Sequence, residues 1–429
     1  MSDRNVDAVD RLLSDGRSGQ HSRREILRRG AALGLSAPAL GAMLSAPAGS
    51  AAARQATPAA TPAAPPATPP AEPVNLTIID VAGQSQLTQP MIDDYVAQNP
   101  EWVSGVEFTK ATSPELAAKI QAQQAAGRAD IHMVLTGTDG LSAGIEQDLW
   151  LKLLPDQESA FPNLMESLIN PGAQELAQGF GINVVFGNYG PTFTYNPEMV
   201  PTPPTTVEEL LAYATENSGQ VMYARPANSG PGRGWIMSLP YHLGDTDPKN
   251  PETGWEKTWT YLEQLGEHIE YYPSGTGATM QELGQGSRAM VASTMGWDMN
   301  PRLLGTVPMD FKAVTFPNGP LLADAQFVVI PKGLDEDRNA VVLNLMGWML
   351  RPEQQAKAYD QAYFYPGPAV KDVTLEMAPA ESQEAVASVR RPEFDELIAT
   401  AKVELPLDAV NLVKAFAIWD ERIGSGKVT

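Results

Sequence analysis

The chain has 429 residues with 43% hydrophobic and 7% aromatic content, enough apolar mass to bury a sizeable core. It carries 30 Lys and Arg against 51 Asp and Glu, a formal net charge of -21, and a surface that acidic repels nucleic acid and anionic lipid, so neither is an expected partner. Cysteine is absent, which removes disulfides, thiolate metal sites, a cysteine nucleophile and a lipidated N-terminal Cys together.

Residues 1–53 read as an address label and not as folded structure. Ser22-Arg23-Arg24-Glu25-Ile26-Leu27-Arg28 joins paired arginines to two apolar residues and a base. The weakly apolar stretch from Gly30 to Leu44 is too short and too rich in Ala and Gly for a good membrane span. Small residues at Ala46-Pro47-Ala48 and Ala51-Ala52-Ala53 then suit cleavage. This segment resembles a twin-arginine export signal, with Ile26 where that motif usually has Phe. The resemblance implies the twin-arginine translocase as a partner during export, and folding before export. Residues 54–73 are a linker: seven of its twenty residues are Pro, separated by Ala and Thr, a composition that builds no core and favours a stiff polyproline II spacer.

The first element of the folded part is a buried strand over Val74–Asp80, rich in β-branched residues and ending at Gly83. A helix is expected over 88–98, a short strand over 106–108, and a helix opened by Ser113-Pro114-Glu115 that runs to Ala126-Gly127. A buried strand over 130–135 ends at Thr136-Gly137-Thr138-Asp139. This β-α-β-α-β order with short connections predicts a parallel sheet covered by helices. The pattern changes at 181–187 and at the aromatic strand Thr192–Tyr195, after which Thr206-Val207-Glu208-Glu209 opens a capped helix. A second α/β run extends from Gln220 to about Val314, with strands over 221–223 and 288–292 and helices near 234–242 and 254–270. A strand over 325–331 and long helices over 335–350 and 352–362 follow. No Walker loop and no GxGxxG after a strand is present, so nucleotide binding lacks support.

Three passages, in this order and spacing, resemble the family 1 extracellular solute-binding proteins. They are Thr206–Leu211, Leu283–Met290 with its Gly284 and Gly286, and Pro352-Glu353-Gln354-Gln355 followed by Tyr365-Pro366-Gly367-Pro368. Within that family the chain is similar to the branch holding iron(III)-, polyamine- and thiamine-binding receptors. The resemblance implies an α/β, type II periplasmic-binding-protein fold, two α/β lobes joined by a two-strand hinge. Lobe one is expected at 74–186 plus 325–429, and lobe two at 187–324. The implied role is a monomeric, exported receptor in the periplasm or at the cell surface. It would hand a small ligand to ABC permease subunits and need no cofactor.

Ligands of open α/β sheets bind beyond the carboxyl ends of the strands, where loops meet helix N-termini. That rule selects Gln84 and Ser85 after the first strand, and Thr136 and Thr138 after the third, where Thr138 or Asp139 serves equally well as a helix cap. The loop Ala224–Trp235 follows a strand and opens a helix, and its Arg225, Asn228, Ser229 and Arg233 make a candidate anion site. The alternative is a surface turn whose arginines pair with the acidic exterior. Thr294–Asp298 sets the indole of Trp297 beside the carboxylate of Asp298, suited to a cationic or heteroaromatic ligand; a Trp packed between lobes and a helix-capping Asp explain the pair as well. Tyr189 at the first crossover, Asp324 at the second and Tyr365 over the cleft complete the candidates.

Both signs of charge on one cleft predict a zwitterionic or phosphorylated organic cation, with no metal site. The alternative is iron(III) held by paired tyrosines, for which Tyr271-Tyr272 is a match without an accompanying His. The four histidines, His21, His132, His242 and His268, have no metal-ligand neighbour at helical spacing, and nucleophilic catalysis lacks an activating base. Thiamine-degrading enzymes of related two-lobed folds use a Cys that this chain lacks. The expectation is a receptor and not an enzyme, with a secreted hydrolase using paired carboxylates or a sensor partner as the alternatives.

Overall fold

The structure is a computed structural model that describes residues 68–428 except Thr112. The export-signal reading of 1–53, most of the linker and the Ser113-Pro114 side chains of an expected helix start lie outside the described residues. The chain begins β1 (Val74–Asp80), α1 (Ser85–Gln98), β2 (Val103–Lys110), α2 (Ser113–Ala125), β3 (Met133–Gly137) and α3 (Thr138–Glu146). β1 pairs in parallel with β2 and with β3, because each strand returns through a helix that packs back on the sheet. α1 buries Leu87, Met91, Ile92 and Tyr95, a helical stripe facing Leu76 and Ile78 of β1 in the first core.

β4 (Gly181–Gly190) then runs across the first sheet and passes through Pro191 into β5 (Thr192–Tyr195) of a second sheet. There follow α4 (Val207–Glu216), β6 (Val221–Met222), α5 (Gly230–Leu243), α6 (Glu256–Glu267), α7 (Thr276–Gly284), β7 (Met290–Ser293), α8 (Met295–Leu303) and β8 (Lys312–Thr315). β9 (Leu321–Val329) returns to the first sheet, where it lies antiparallel to both β3 and β4. The chain closes with α9 (Glu336–Met349), β10 (Pro366–Pro368), α10 (Ala380–Val389), α11 (Pro392–Thr400), β11 (Val403–Glu404) and α12 (Ala409–Arg422). The strand order is β10-β4-β9-β3-β1-β2 with β11 beside β9 in the first sheet, and β6-β7-β5-β8 in the second. α4 opens with a full capping box: Glu209 N–H donates to Thr206 Oγ1, and Glu209 Oε2 accepts from Thr206 N–H.

Two expectations are corrected. The stretch 352–362 is not one helix: it breaks into turns over Pro352–Gln355 and Ala356–Tyr359, then reverses through Asp360 and Ala362 at positive φ. That reversal turns the chain back toward the space between the sheets. The stretch 325–429 does not pack on the first lobe alone: α12 lies along α3 and also reaches the second core. Its Leu412, Ala415 and Trp419 lie on one face and are buried in the second core. Trp419 stacks edge-on against Tyr272 at 4.9 Å and donates its indole N–H to Tyr223. No helix among the described residues is long and apolar enough to cross a membrane.

Trp419 is 1% exposed, and truncating a buried Trp costs about 3–5 kcal/mol. Trp419→Ala is expected to lower the unfolding free energy by that amount in urea titrations.

Candidate functional site

The end of β1 shows how this sequence satisfies its own helix termini. Asp80 Oδ1 accepts from the backbone N–H of Ala82 and Gln84, and Oδ2 accepts from the Ser85 N–H and hydroxyl. The donors at the start of α1 are therefore consumed by one carboxylate inside the protein. Ser85 is one of those donors, and its hydroxyl is spent on Asp80. Gln84 is fully buried, and neither polar atom of its amide has a protein partner. Thr136 bonds the carbonyl of Gly137, and Thr138 is buried at the start of α3 with its hydroxyl unpartnered. None of these four lines the cleft, whereas Gly83, Gly137 and Asp139 from the same loops do.

The cleft has a volume of about 380 Å³, within the range of small-molecule sites. Asp139 lies on its first-sheet side, Asn228, Ser229, Arg233, Thr276 and Trp297 on its second-sheet side, and Asn188, Asp324 and Gln326 on the strands that cross between them. Arg233 is its centre. The residue is 5% exposed, with Nη2 at 2.7 Å from Asp324 and Nη1 at 3.6 Å from Asp139. Burial pulls its pKa down, but the Asp324 and Asp139 carboxylates outweigh that and hold it above the ordinary arginine value.

Ser229 caps α5 by accepting from Gly232 N–H, and its hydroxyl meets that of Thr276 at 2.7 Å. Asn188 fixes the start of α8 by accepting from the Thr294 hydroxyl and the Gly296 N–H. That brings Trp297 edge-on to Tyr363 with ring centroids 5.4 Å apart. Tyr363 comes from the chain reversal after Asp360. Burial, and then the Asp80, Asp324 and Asp360 charges, push its phenol well above the usual range.

The geometry reassigns several expected ligand contacts. Arg225 turns away from the cleft and forms a two-point ion pair with Asp420 of α12. The surface-turn alternative describes it, and such a half-exposed pair contributes about 0–1 kcal/mol. Asp298 is fully buried: Thr194 Oγ1 donates to it at 3.1 Å, Arg302 at 2.9 Å and Arg391 Nε at 2.6 Å. It is an internal tie between β5, α8 and the start of α11, and burial holds Arg302 below its ordinary pKa. Tyr365 donates to Asp395 within the first core, two residues from the tyrosine that does face the cleft. Tyr189 packs edge-on against Phe186, and burial pushes its pKa up to about 12. Of the residues expected at the site, Asn228, Ser229, Arg233, Trp297 and Asp324 line the cleft. For Asp139 the loop sequence leaves helix cap and ligand contact open, and Gln326, Asn188 and Tyr363 give no signal beyond their place after or within a crossover.

Magnitudes decide how the cleft behaves. A helix N-terminus favours an anion by about 0.3–1 kcal/mol, whereas a desolvated carboxylate left without its cation costs about 2–5 kcal/mol. The anion site expected from two arginines thus reduces to one guanidinium already answered by two carboxylates. Asp298→Ala, which strips two guanidiniums of a buried partner, is expected to cost about 3–5 kcal/mol of stability in denaturant titrations. Arg225→Ala is expected to leave solute affinity unchanged in calorimetry.

The model of the family described as bacterial extracellular solute-binding protein matches residues 90–388. No curated protein matches by sequence. Among solved structures the fold is similar to the periplasmic binding protein AfuA from Actinobacillus pleuropneumoniae with exogenous fructose-6-phosphate bound, at 15% identity and TM-score 0.59, covering 82% of this chain and 99% of that one. It is similar to the spermidine/putrescine ABC transporter substrate-binding protein PotD from Streptococcus pneumoniae, at 16% identity and TM-score 0.53, covering 81% and 99%. It is similar, too, to apo ferric ion-binding protein A from Pasteurella haemolytica, at 14% identity and TM-score 0.56, covering 81% and 97%. At these identities the likeness speaks for the fold alone. Two α/β sheets joined by crossing strands, with a family match over most of the chain, place this protein among the bacterial extracellular solute-binding proteins, whose business is carrying solutes and not converting them.

Proposed function

We propose that the protein is the exported receptor of an ABC importer, a monomer that closes two lobes around a small charged organic ligand and hands it to the permease. The observation that carries this reading is the position of the cleft: it is lined from both sheets and floored by β4 and β9, the two strands nearest the crossings. A hinge of two strands lets such lobes open and close without breaking either core. The first lobe would hold the first sheet, and the second lobe 187–324 together with α12.

The ligand class follows from the charged and aromatic lining: polyamine-, thiamine- or phosphorylated-compound-like solutes, in keeping with a spermidine/putrescine receptor and a fructose-6-phosphate complex among the similar folds. The iron(III) reading loses its residues. Tyr271 donates to Glu282, Tyr272 is buried against Trp419, and neither lines the cleft. Among the described residues no group of three or more acids or histidines is placed to hold a metal.

Small-angle scattering is expected to show a smaller radius of gyration with saturating solute; an unchanged radius would count against a closing receptor. The Ser22–Arg28 motif supports export by the twin-arginine route. Replacing Arg23 and Arg24 with Lys is expected to leave precursor in the cytoplasm, and export of the double variant at the normal rate would show a different signal.

A further inference from the structure

We infer that the cleft selects its ligand by positive charge and that Asp139 is the residue that sets this sign; the inference rests on the receptor reading above. Arg233 is the only cation lining the cleft among the described residues, and it faces Asp139 and Asp324 together. Among the described lining residues, one guanidinium against two carboxylates leaves an excess of one negative charge. Asp80, 3% exposed behind Ala82 and Gly83 and held by neutral donors, adds another.

The two carboxylates on Arg233 are not equivalent. Asp324 makes the close contact at 2.7 Å and fixes its other oxygen on the Ala325 N–H. Asp139 reaches Arg233 from the opposite side of the cleft at 3.6 Å. An incoming ammonium group engages Asp139 while Arg233 keeps Asp324, so no guanidinium is stranded.

Three further features agree. The Trp297–Tyr363 pair offers aromatic faces to a cation. Gln326 lines the cleft, is 5% exposed, and its Oε1 has no protein partner, so it accepts from a ligand N–H. The helix ends that would attract an anion are already answered: α3 carries Asp139 in its first turn, and Asp324 Oδ2 lies 3.3 Å from where a Cβ on Gly230, the first residue of α5, would stand.

The test is calorimetry and thermal melting of the full chain with putrescine and choline as cations, glucose as a neutral solute and fructose 6-phosphate as an anion. At least one cation is expected to bind and raise the melting temperature, and fructose 6-phosphate to bind more weakly than that cation. Asp139→Asn is expected to weaken the cation by roughly thirtyfold or more, and Asp139→Glu, which keeps the charge, to retain most of the affinity. If the Asn variant fails to fold, the ranking of the four probes on the wild type and on Asp139→Glu decides. The inference is overturned if fructose 6-phosphate or glucose binds more tightly than both cations, if neither cation binds, or if a folded Asp139→Asn binds the cation unchanged. Compaction in scattering with glucose or fructose 6-phosphate would overturn the charge assignment and leave the receptor standing. Silence from all four probes in melting and scattering counts against both.

Discussion

Arg233 is held between carboxylates that the chain brings from different places, Asp139 at the start of α3 and Asp324 within β9. A guanidinium this buried survives only when its charge is met, and this need ties α5 of the second sheet's side to the first sheet and to the strand that crosses between them. The cleft around it inherits its shape and its charge from that arrangement. Removing the cation would leave two acids facing one another in a partly dry space. Removing either acid would loosen the join between the sheets.

Two other devices keep the cleft's walls in place. Asp298 gathers Thr194, Arg302 and Arg391, so β5, α8 and the residue before α11 move as one body. Arg391 Nη2 and Arg302 Nη2 also donate to the carbonyls of Phe311 and Val389, so both guanidiniums carry fixed backbone bonds as well as the shared anion. Asn188 sits at the end of β4 at positive φ and spends its oxygen on the first turn of α8. The aromatic pair is a consequence: Trp297 rides on α8, and Tyr363 arrives on the reversal after Asp360, where Gly296 leaves room for its backbone, since a Cβ there would sit 2.3 Å from the Tyr363 carbonyl.

Periodicity and capping signals were enough to locate most elements. Val74–Asp80 is a strand as expected, Thr206 caps its helix, and the change of pattern near 187 marks the crossing into a second sheet. Of the aromatic residues Tyr213, Trp255, Trp259 and Tyr261 at helical spacing, the last three are core and Tyr213 is partly buried against it. What sequence reading missed depends on partners far away in the chain. Arg225 and Arg233 are equivalent in a loop read locally, and only the docking of α12 gives the first to Asp420, 195 residues on. That α12 also reaches the second core is not legible locally, because an amphipathic stripe says which face is buried but not against what. Tyr365 and Tyr363 are two residues apart, and the turns at Asp360 and Ala362 decide which of them faces the cleft. Asp80 reads only as the end of a strand, and Asp139 as a cap or a contact; the charge they add near the cleft becomes visible only when the strand ends are seen together.

A crystal structure of the protein purified from its host without refolding tests this account most directly. It predicts density for a small organic molecule between Asp139 and the Trp297–Tyr363 pair, with Arg233 still bonded to Asp324. A solute bound elsewhere, or Arg233 turned out of the cleft with its carboxylates unpaired, would contradict it.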